Sequence, residues 1–335
     1  MTVSSTSAPP RLPQSHRTVD AGSMMLVDSA LNDLAKGQHG LLTTRQIEGL
    51  GVNRLVISGW CRAGLLSHQL RGVYAVPSLL EEADGPDAAE RRHLLMCRAA
   101  LLVYPDAVLA SVSAAAAHAL PVWSCDLTSP ILRRPVNRGR GIRGVHVRRA
   151  ARESVDTAYG MAVPVTTALA ELAIDFGIVP GVVSADAALH RGLVTAPEVT
   201  EYVSGLATTW SSRPKAMAKL MDGRSESVGE SRLRCLLAFE GWEMEPQVEA
   251  LDERGQVFAR IDGVLKGTRV ALEFDGKVKY TSGDPDTLIA EKRREDRLRA
   301  LGWIVVRIEW ADLDNPARLF AKIRRALAAA AHSAA

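Results

Sequence analysis

Three runs near the C-terminus decide how this chain is read: ARIDGVLKGTRVALEFDGKVKY (Ala259 to Tyr280), EKRREDRLRALG (Glu291 to Gly302) and WIVVRIEW (Trp303 to Trp310). The first predicts a β-hairpin. Val257 to Val264 is rich in strand formers (Val257, Phe258, Ile261, Val264), Lys266-Gly267 supplies a tight turn, and Arg269 to Phe274 is the returning strand. With a two-residue turn, Asp262 falls opposite Ala271, Glu273 is its diagonal neighbour, and Asp275 follows on that side. Three carboxylates on one face of an apolar sheet repel one another unless a cation or proton sits among them. Hard oxygen ligands at this density suit Mg²⁺ or Mn²⁺. A register slip of one residue would turn Asp262 to the other face and break the cluster. The second run predicts a charged helix and the third a further strand.

These residues resemble the PD-(D/E)XK nuclease superfamily, in the branch related to the very-short-patch mismatch-repair endonuclease. The resemblance rests on Ile261-Asp262, on Glu273-Phe274-Asp275-Gly276, on the basic helix Glu291 to Arg299, and on Arg307 to Trp310. It covers roughly the last third of the chain. It implies a restriction-endonuclease-like α/β domain and Mg²⁺-dependent phosphodiester cleavage. Asp262 and Glu273 would be metal ligands, with the Phe274 carbonyl as a third. The superfamily's third signature position is usually Lys and here is Asp275, so Lys277 or Lys279 would polarise the attacking water. The branch often has His where Lys279 stands. An acidic residue on the first core helix, here Glu230, would complete the metal shell. Ser227-Val-Gly-Glu230 also reads as a capping box opening the helix SVGESRLRCLLAFEG, so both roles stand for Glu230.

On the helix after the hairpin, Leu288, Glu291, Glu295 and Leu298 form one stripe. Lys292, Arg293, Arg294, Arg297 and Arg299 occupy the rest, as a solvated face or as the surface along a DNA backbone. Arg293 and Arg297 are the candidates for that contact. Arg307, inside an apolar strand, calls for a carboxylate such as Glu291 or Glu295.

At the other end, the Ser-, Thr- and Pro-rich residues 1–22 read as a disordered lead without the apolar core of a signal peptide. Val27, Ala30, Leu31 and Leu34 then mark a helix. Thr43 caps a short helix, TRQIEGL, and Asn53 caps a second, RLVISGWCRA. Two strands in LLSHQLRGVYAVP complete a winged helix-turn-helix over residues 23–79. Arg54, Ser58 and Arg62 share the polar side of the second helix and Arg71 lies on the wing, groups suited to base edges and phosphates. With Asn53 they form the candidate DNA-binding set of this region. The run from Gly40 to Pro77 resembles the N-terminal domain of AbiEi-type antitoxins. That resemblance implies promoter or operator binding and a toxin partner.

Residues 80–215 form a middle α/β region that also resembles the AbiEi-type body, through GMAVPVTTALAELA and ADAALHRGLV. Its segment PILRRPVNRGRGIRGVHVRRA is the most basic in the protein and reads as a flexible basic hairpin. It is either a solvated loop or, through residues such as Arg138 and Arg140, a track for a phosphate backbone. His118 and His190 read as core or surface histidines rather than ligands.

The 335 residues allow two or three domains, and 47% hydrophobic residues allow sizeable cores. A net charge of only +3 means that local charge, not bulk charge, must argue for nucleic acid. The scattered Cys61, Cys97, Cys125 and Cys235 point to thiols in a reducing cytoplasm. No apolar run approaches the roughly 20 residues that span a bilayer. The chain therefore reads as a multi-domain α/β protein, with the restriction-endonuclease-like domain over residues 220–333. Its leading function is a double-stranded-DNA-binding protein with a Mg²⁺-dependent endonuclease core, in phage defence or DNA repair. The second is an antitoxin-like transcriptional regulator whose nuclease-fold domain is inactive; the missing Lys favours it.

Overall fold

The computed structural model describes residues 21–80, 87–135, 143–149, 153–206, 211–276 and 285–333, with backbone alone for 21–28, 285–290 and 333. The chain divides into two compact units, Met1–Glu82 and Ala83–Ala335.

In the first unit, α1 (Ala21–Lys36) leads into β1 (Leu41–Thr43), α2 (Thr44–Gly49), α3 (Arg54–Arg62), β2 (Ser67–Leu70) and β3 (Val73–Ala75). Both short helices start where their caps predict. Thr43 and Gln46 close a reciprocal box on α2, and Asn53 Oδ1 accepts from the Leu55 and Val56 N–H groups at 3.0 Å on α3. Gly72, at φ +81°, turns the chain between β2 and β3. The strands pair antiparallel in the order β1-β3-β2. Leu31, Ala35, Leu42, Ile47, Val52, Ile57 and Leu66 fill the core beneath them. The third strand, β1, is too short for alternation to reveal it in the sequence.

The second unit begins with α4 (Ala88–Val103), β4 (Val108–Leu109), α5 (Ser111–Ala117), β5 (Ile131–Arg134), β6 (His146–Arg149), β7 (Val155–Thr157) and β8 (Gly160–Ala162). The helices α6 (Val165–Phe176), α7 (Ile178–His190), α8 (Ala196–Ser204) and α9 (Ser212–Leu220) follow. The five strands form one sheet in the order β6-β5-β4-β8-β7. The basic segment is not a hairpin. Its strands β5 and β6 run parallel, Ile131 opposite His146 and Arg134 opposite Arg149, where a hairpin would pair them antiparallel. Arg138 and Arg140 lie outside the described residues.

The rest of this unit comprises α10 (Val228–Phe239), β9 (Met244–Leu251), β10 (Val257–Leu265), β11 (Val270–Asp275), α11 (Pro285–Ala300), β12 (Ile304–Glu309), α12 (Trp310–Leu313) and α13 (Pro316–Ser333). The sheet order is β12-β11-β10-β9, with β9, β10 and β11 an antiparallel meander and β12 parallel to β11 through the α11 crossover. Leu233 and Leu237 of α10 and Leu319 and Ile323 of α13 share a core with Leu265, Val270, Leu272 and Ile308. Leu298 of α11 packs in a second cluster with Ala250, Ala259, Ile261, Val264 and Ala271. One close approach marks the packing of α10: a Cβ on Gly229 would lie 2.0 Å from the Phe274 ring, so any larger residue would have to displace that ring.

The hairpin register differs from the expected one by two residues. Val264, not Asp262, lies opposite Ala271, and Gly263 lies opposite Leu272. The connection is four residues, 266–269, held by the Thr268 N–H and hydroxyl donating to the Leu265 carbonyl at 3.1 and 2.7 Å. An even slip preserves the side-chain face, so Asp262 stays beside Glu273.

Two arginines of α10 tie the strand-rich end of this unit to the helices before it. Arg234 pairs with the buried Asp186 of α7 and also donates to the Leu220 carbonyl. Arg232 lies 4.1 Å from the centre of the Trp123 ring and bonds Asp314 at 2.9 Å. The boundary expected near residues 215–220 therefore lies inside one compact unit. Among the described residues no helix is long and apolar enough to cross a membrane.

Candidate functional site

Asp262 and Glu273 meet where β10 and β11 come level. Asp262 Oδ2 accepts the Phe274 N–H at 2.8 Å, and the Phe274 ring stands edge-on to Trp310 with centroids 5.0 Å apart. Arg294 reaches down from α11 and donates to Glu273 Oε2 at 2.6 Å. The other Glu273 oxygen, Oε1, is buried without a hydrogen-bond partner. Burial pushes the Glu273 carboxyl up to about 7, with Arg294 opposing the rise and Asp262 adding to it. Asp262 is also raised, first by burial and then by Glu230 and Glu226, against the Phe274 N–H and Arg294.

Glu230 serves the helix start. Its Oε1 accepts from Ser227 Oγ at 2.7 Å, and its Oε2 accepts from the Glu226 N–H at 3.1 Å and from Gln247 Nε2 at 2.9 Å. Asp275 continues β11 opposite Glu309 of β12; against the effect of burial, Glu295 and Glu291 raise the pKa of Arg307, and Asp275 adds the smallest share. Lys277 and Lys279 lie outside the described residues. Among the described residues no three Asp, Glu, His or Cys side chains close on a point that could hold a metal ion. Arg294 holds one oxygen of Glu273, and both oxygens of Glu230 accept hydrogen bonds from the helix start and from Gln247. The repulsion expected of this cluster is relieved by a guanidinium and by raised carboxyl pKa values.

Arg294 was missed as an individual in the sequence, grouped there with the basic face. A usable signal was present. It stands four residues before Leu298, the one buried position among the described side chains of α11, and so lies above it on the inward stripe. Its neighbours behave differently. Arg297 pairs with Asp252 at 3.0 Å and stacks over the Phe258 ring, while Arg293 is exposed. Arg307 pairs with both expected acids, Glu291 at 3.1 Å and Glu295 at 2.8 Å, on an exposed surface of the sheet.

The first unit carries the second candidate surface. Arg54, Ser58 and Arg62 are exposed on α3, and Arg71 is exposed on the turn of the wing. Arg54 Nε donates to Glu48 Oε1 at 2.8 Å, which holds the guanidinium between the two helices and raises its pKa. Asn53 is exposed, but its side-chain oxygen is committed to the cap. The middle region offers less. Arg133 bonds Glu171 at 2.5 Å, Arg134 bonds Asp106 at 2.8 Å, and Arg148 bonds Asp175 at 2.9 Å, so these cations balance the unit's own carboxylates.

Residues 29–77 match the family model described as a transcriptional regulator, AbiEi antitoxin. The match spans β1 to β3 and both capped helices, and it gives this unit an AbiEi-like winged helix. A comparison with curated proteins returned no match. The AbiEi-like region thus covers the Arg54, Ser58, Arg62 and Arg71 surface and leaves the Asp262–Glu273 pair outside it.

Proposed function

We propose that this protein is a DNA-binding transcriptional regulator of the antitoxin type, in which the β9–β12 sheet is a non-catalytic scaffold of restriction-endonuclease-like architecture. The observation that carries this reading is the exposed row Arg54, Ser58 and Arg62 on α3, inside the AbiEi-like winged helix. The second helix of such a motif enters the major groove with its N-terminal residues against base edges, and the first crosses the backbone. Arg54 would exchange Glu48 for DNA, and Arg71 on the wing would take an adjoining phosphate. The acidic residues support the same reading, since Glu273 is held by Arg294 and Glu230 by its cap. A toxin partner follows from the family description alone.

A second reading, a Mg²⁺-dependent phosphodiesterase using Asp262 and Glu273, is favoured by one observation: the buried, unpartnered Glu273 Oε1. The full-length protein, selected against a random duplex pool and separately incubated with supercoiled plasmid in Mg²⁺ or Mn²⁺, tests both. The regulator yields a convergent sequence motif and intact plasmid. A pool that fails to converge refutes it. Nicking lost in Asp262→Asn establishes the phosphodiesterase instead.

A further inference from the structure

Leu55 is 81% exposed, the most exposed large apolar side chain among the described residues. It sits in the first turn of α3, between the exposed Arg54 and Val56, the latter 37% exposed. The two sides of this short helix divide sharply. Ile57 is buried at 2% exposure and fills the core with Val52 and Leu66, whereas Leu55 and Val56 face away from that core. Asn53 fixes the first turn by accepting from the backbone N–H of both Leu55 and Val56, so the backbone that carries Leu55 is set before any ligand arrives.

An isobutyl group in water at the N-terminus of a surface helix stabilises nothing in the unbound unit. Arginine flanks it on its own helix, with Arg54 immediately before it and Arg62 two turns later. This charge complements a polyanion, and an apolar group set among such cations meets its match where a duplex presents an apolar surface. The major groove has one such surface, the C5-methyl of thymine.

We propose that Leu55 is a specificity-determining residue that reads a thymine methyl in the major groove, beside a phosphate contact from Arg54. The inference rests on the DNA-binding reading and refines it: Arg54 and Arg62 supply affinity common to all sequences, and Leu55 supplies preference. Polar recognition of thymine would need its O4 acceptor, which a leucine cannot bond.

The test is a thermodynamic cycle on the full-length chain and the duplex motif recovered by selection. Each thymine of the motif is replaced in turn by deoxyuridine, which removes only the methyl. At one position wild-type affinity falls about fourfold, the value of one buried methyl group. Leu55→Ala binds the thymine duplex at least fourfold more weakly than wild type does, and its thymine and deoxyuridine affinities at that position are equal. Being so exposed, Leu55 is replaceable without loss of fold, checked by an unchanged thermal midpoint. Leu55→Met, which keeps the apolar contact, retains preference for thymine. A wild-type protein indifferent to every deoxyuridine substitution overturns the inference while leaving DNA binding intact. So does a Leu55→Ala variant that keeps the full methyl preference. Failure to bind any duplex removes the DNA-binding reading itself, a separate outcome.

Discussion

Replacing Arg234 by methionine tests whether the helical and strand-rich parts of the second unit are one structure. Asp186 on α7 is 1% exposed and Arg234 on α10 is 7% exposed. Arg234 Nη2 bonds Asp186 Oδ2, while Asp186 Oδ1 accepts the Asp222 N–H at 2.7 Å. Arg234→Met removes the counter-charge and leaves the carboxylate buried with neutral donors only. Breaking a buried pair in this way costs about 3–5 kcal/mol. For a unit of this size that is a fall of roughly 6–20 °C in thermal midpoint. The loss should depend on pH. Burial already pushes the Asp186 carboxyl up to about 6, against the pull of Arg234, and loss of the arginine raises it further. A folded-state pKa above the unfolded value gives stability that is complete below the unfolded pKa and lost as pH rises through the folded one. The variant's deficit should therefore be largest at pH 8 and shrink toward pH 5, where Asp186 takes up a proton. Urea unfolding of both proteins at the two pH values measures it. The double replacement Arg234→Met with Asp186→Leu should recover most of the loss, because an apolar pair carries no stranded charge. A deficit below about 1 kcal/mol at pH 8, or one equal at both pH values, would mean that Arg234 does not offset a buried charge on Asp186.

The acidic pair gives a second pH-dependent expectation. Glu273 is raised to about 7 by burial, so its contribution to stability is complete below its unfolded pKa and lost as pH rises through 7. Glu273→Gln does not titrate, so its thermal midpoint relative to wild type should climb between pH 5 and pH 8; a relative midpoint that falls over that range contradicts the charge assignment. Asn53→Ala removes the cap on α3 and should cost about 1 kcal/mol of stability in the first unit, with weaker DNA binding although no charge is lost. Guanidinium unfolding and fluorescence anisotropy with labelled duplex check the two effects, and unchanged values for both would show that the cap does not hold the reading helix.

The legible parts of the sequence were those written in short-range chemistry. Thr43 and Asn53 mark helix starts because a side-chain oxygen before an apolar-periodic run has a bond to make. Glu291 and Glu295 followed from the cost of leaving Arg307 in a strand without a partner. The illegible parts depended on chain reversal and on distance. PILRRPVNRGRGIRGVHVRRA contains two strands of the expected place and type, but no local pattern encodes that they pair parallel. The turn after Leu265 contains Lys-Gly, which reads as a two-residue loop, yet Thr268 closes a longer one and moves the register by two. Asp262 and Glu273 were recognisable as neighbours. That their cation is Arg294 was hidden, because the arginine lies in a run of five basic residues among eight and only packing tells them apart.

If α3 is the surface that meets DNA, the salt dependence of binding follows its two arginines. Wild type and the double variant Arg54→Ala with Arg62→Ala are titrated with the selected duplex at several salt concentrations. Each phosphate contact adds about 0.9 to the slope of log affinity against log salt. If both arginines touch phosphate, the variant binds more weakly and its slope is shallower by about 1.8, while Asp262→Asn leaves affinity and slope unchanged. A double variant that keeps wild-type affinity and slope would move DNA recognition off the winged helix.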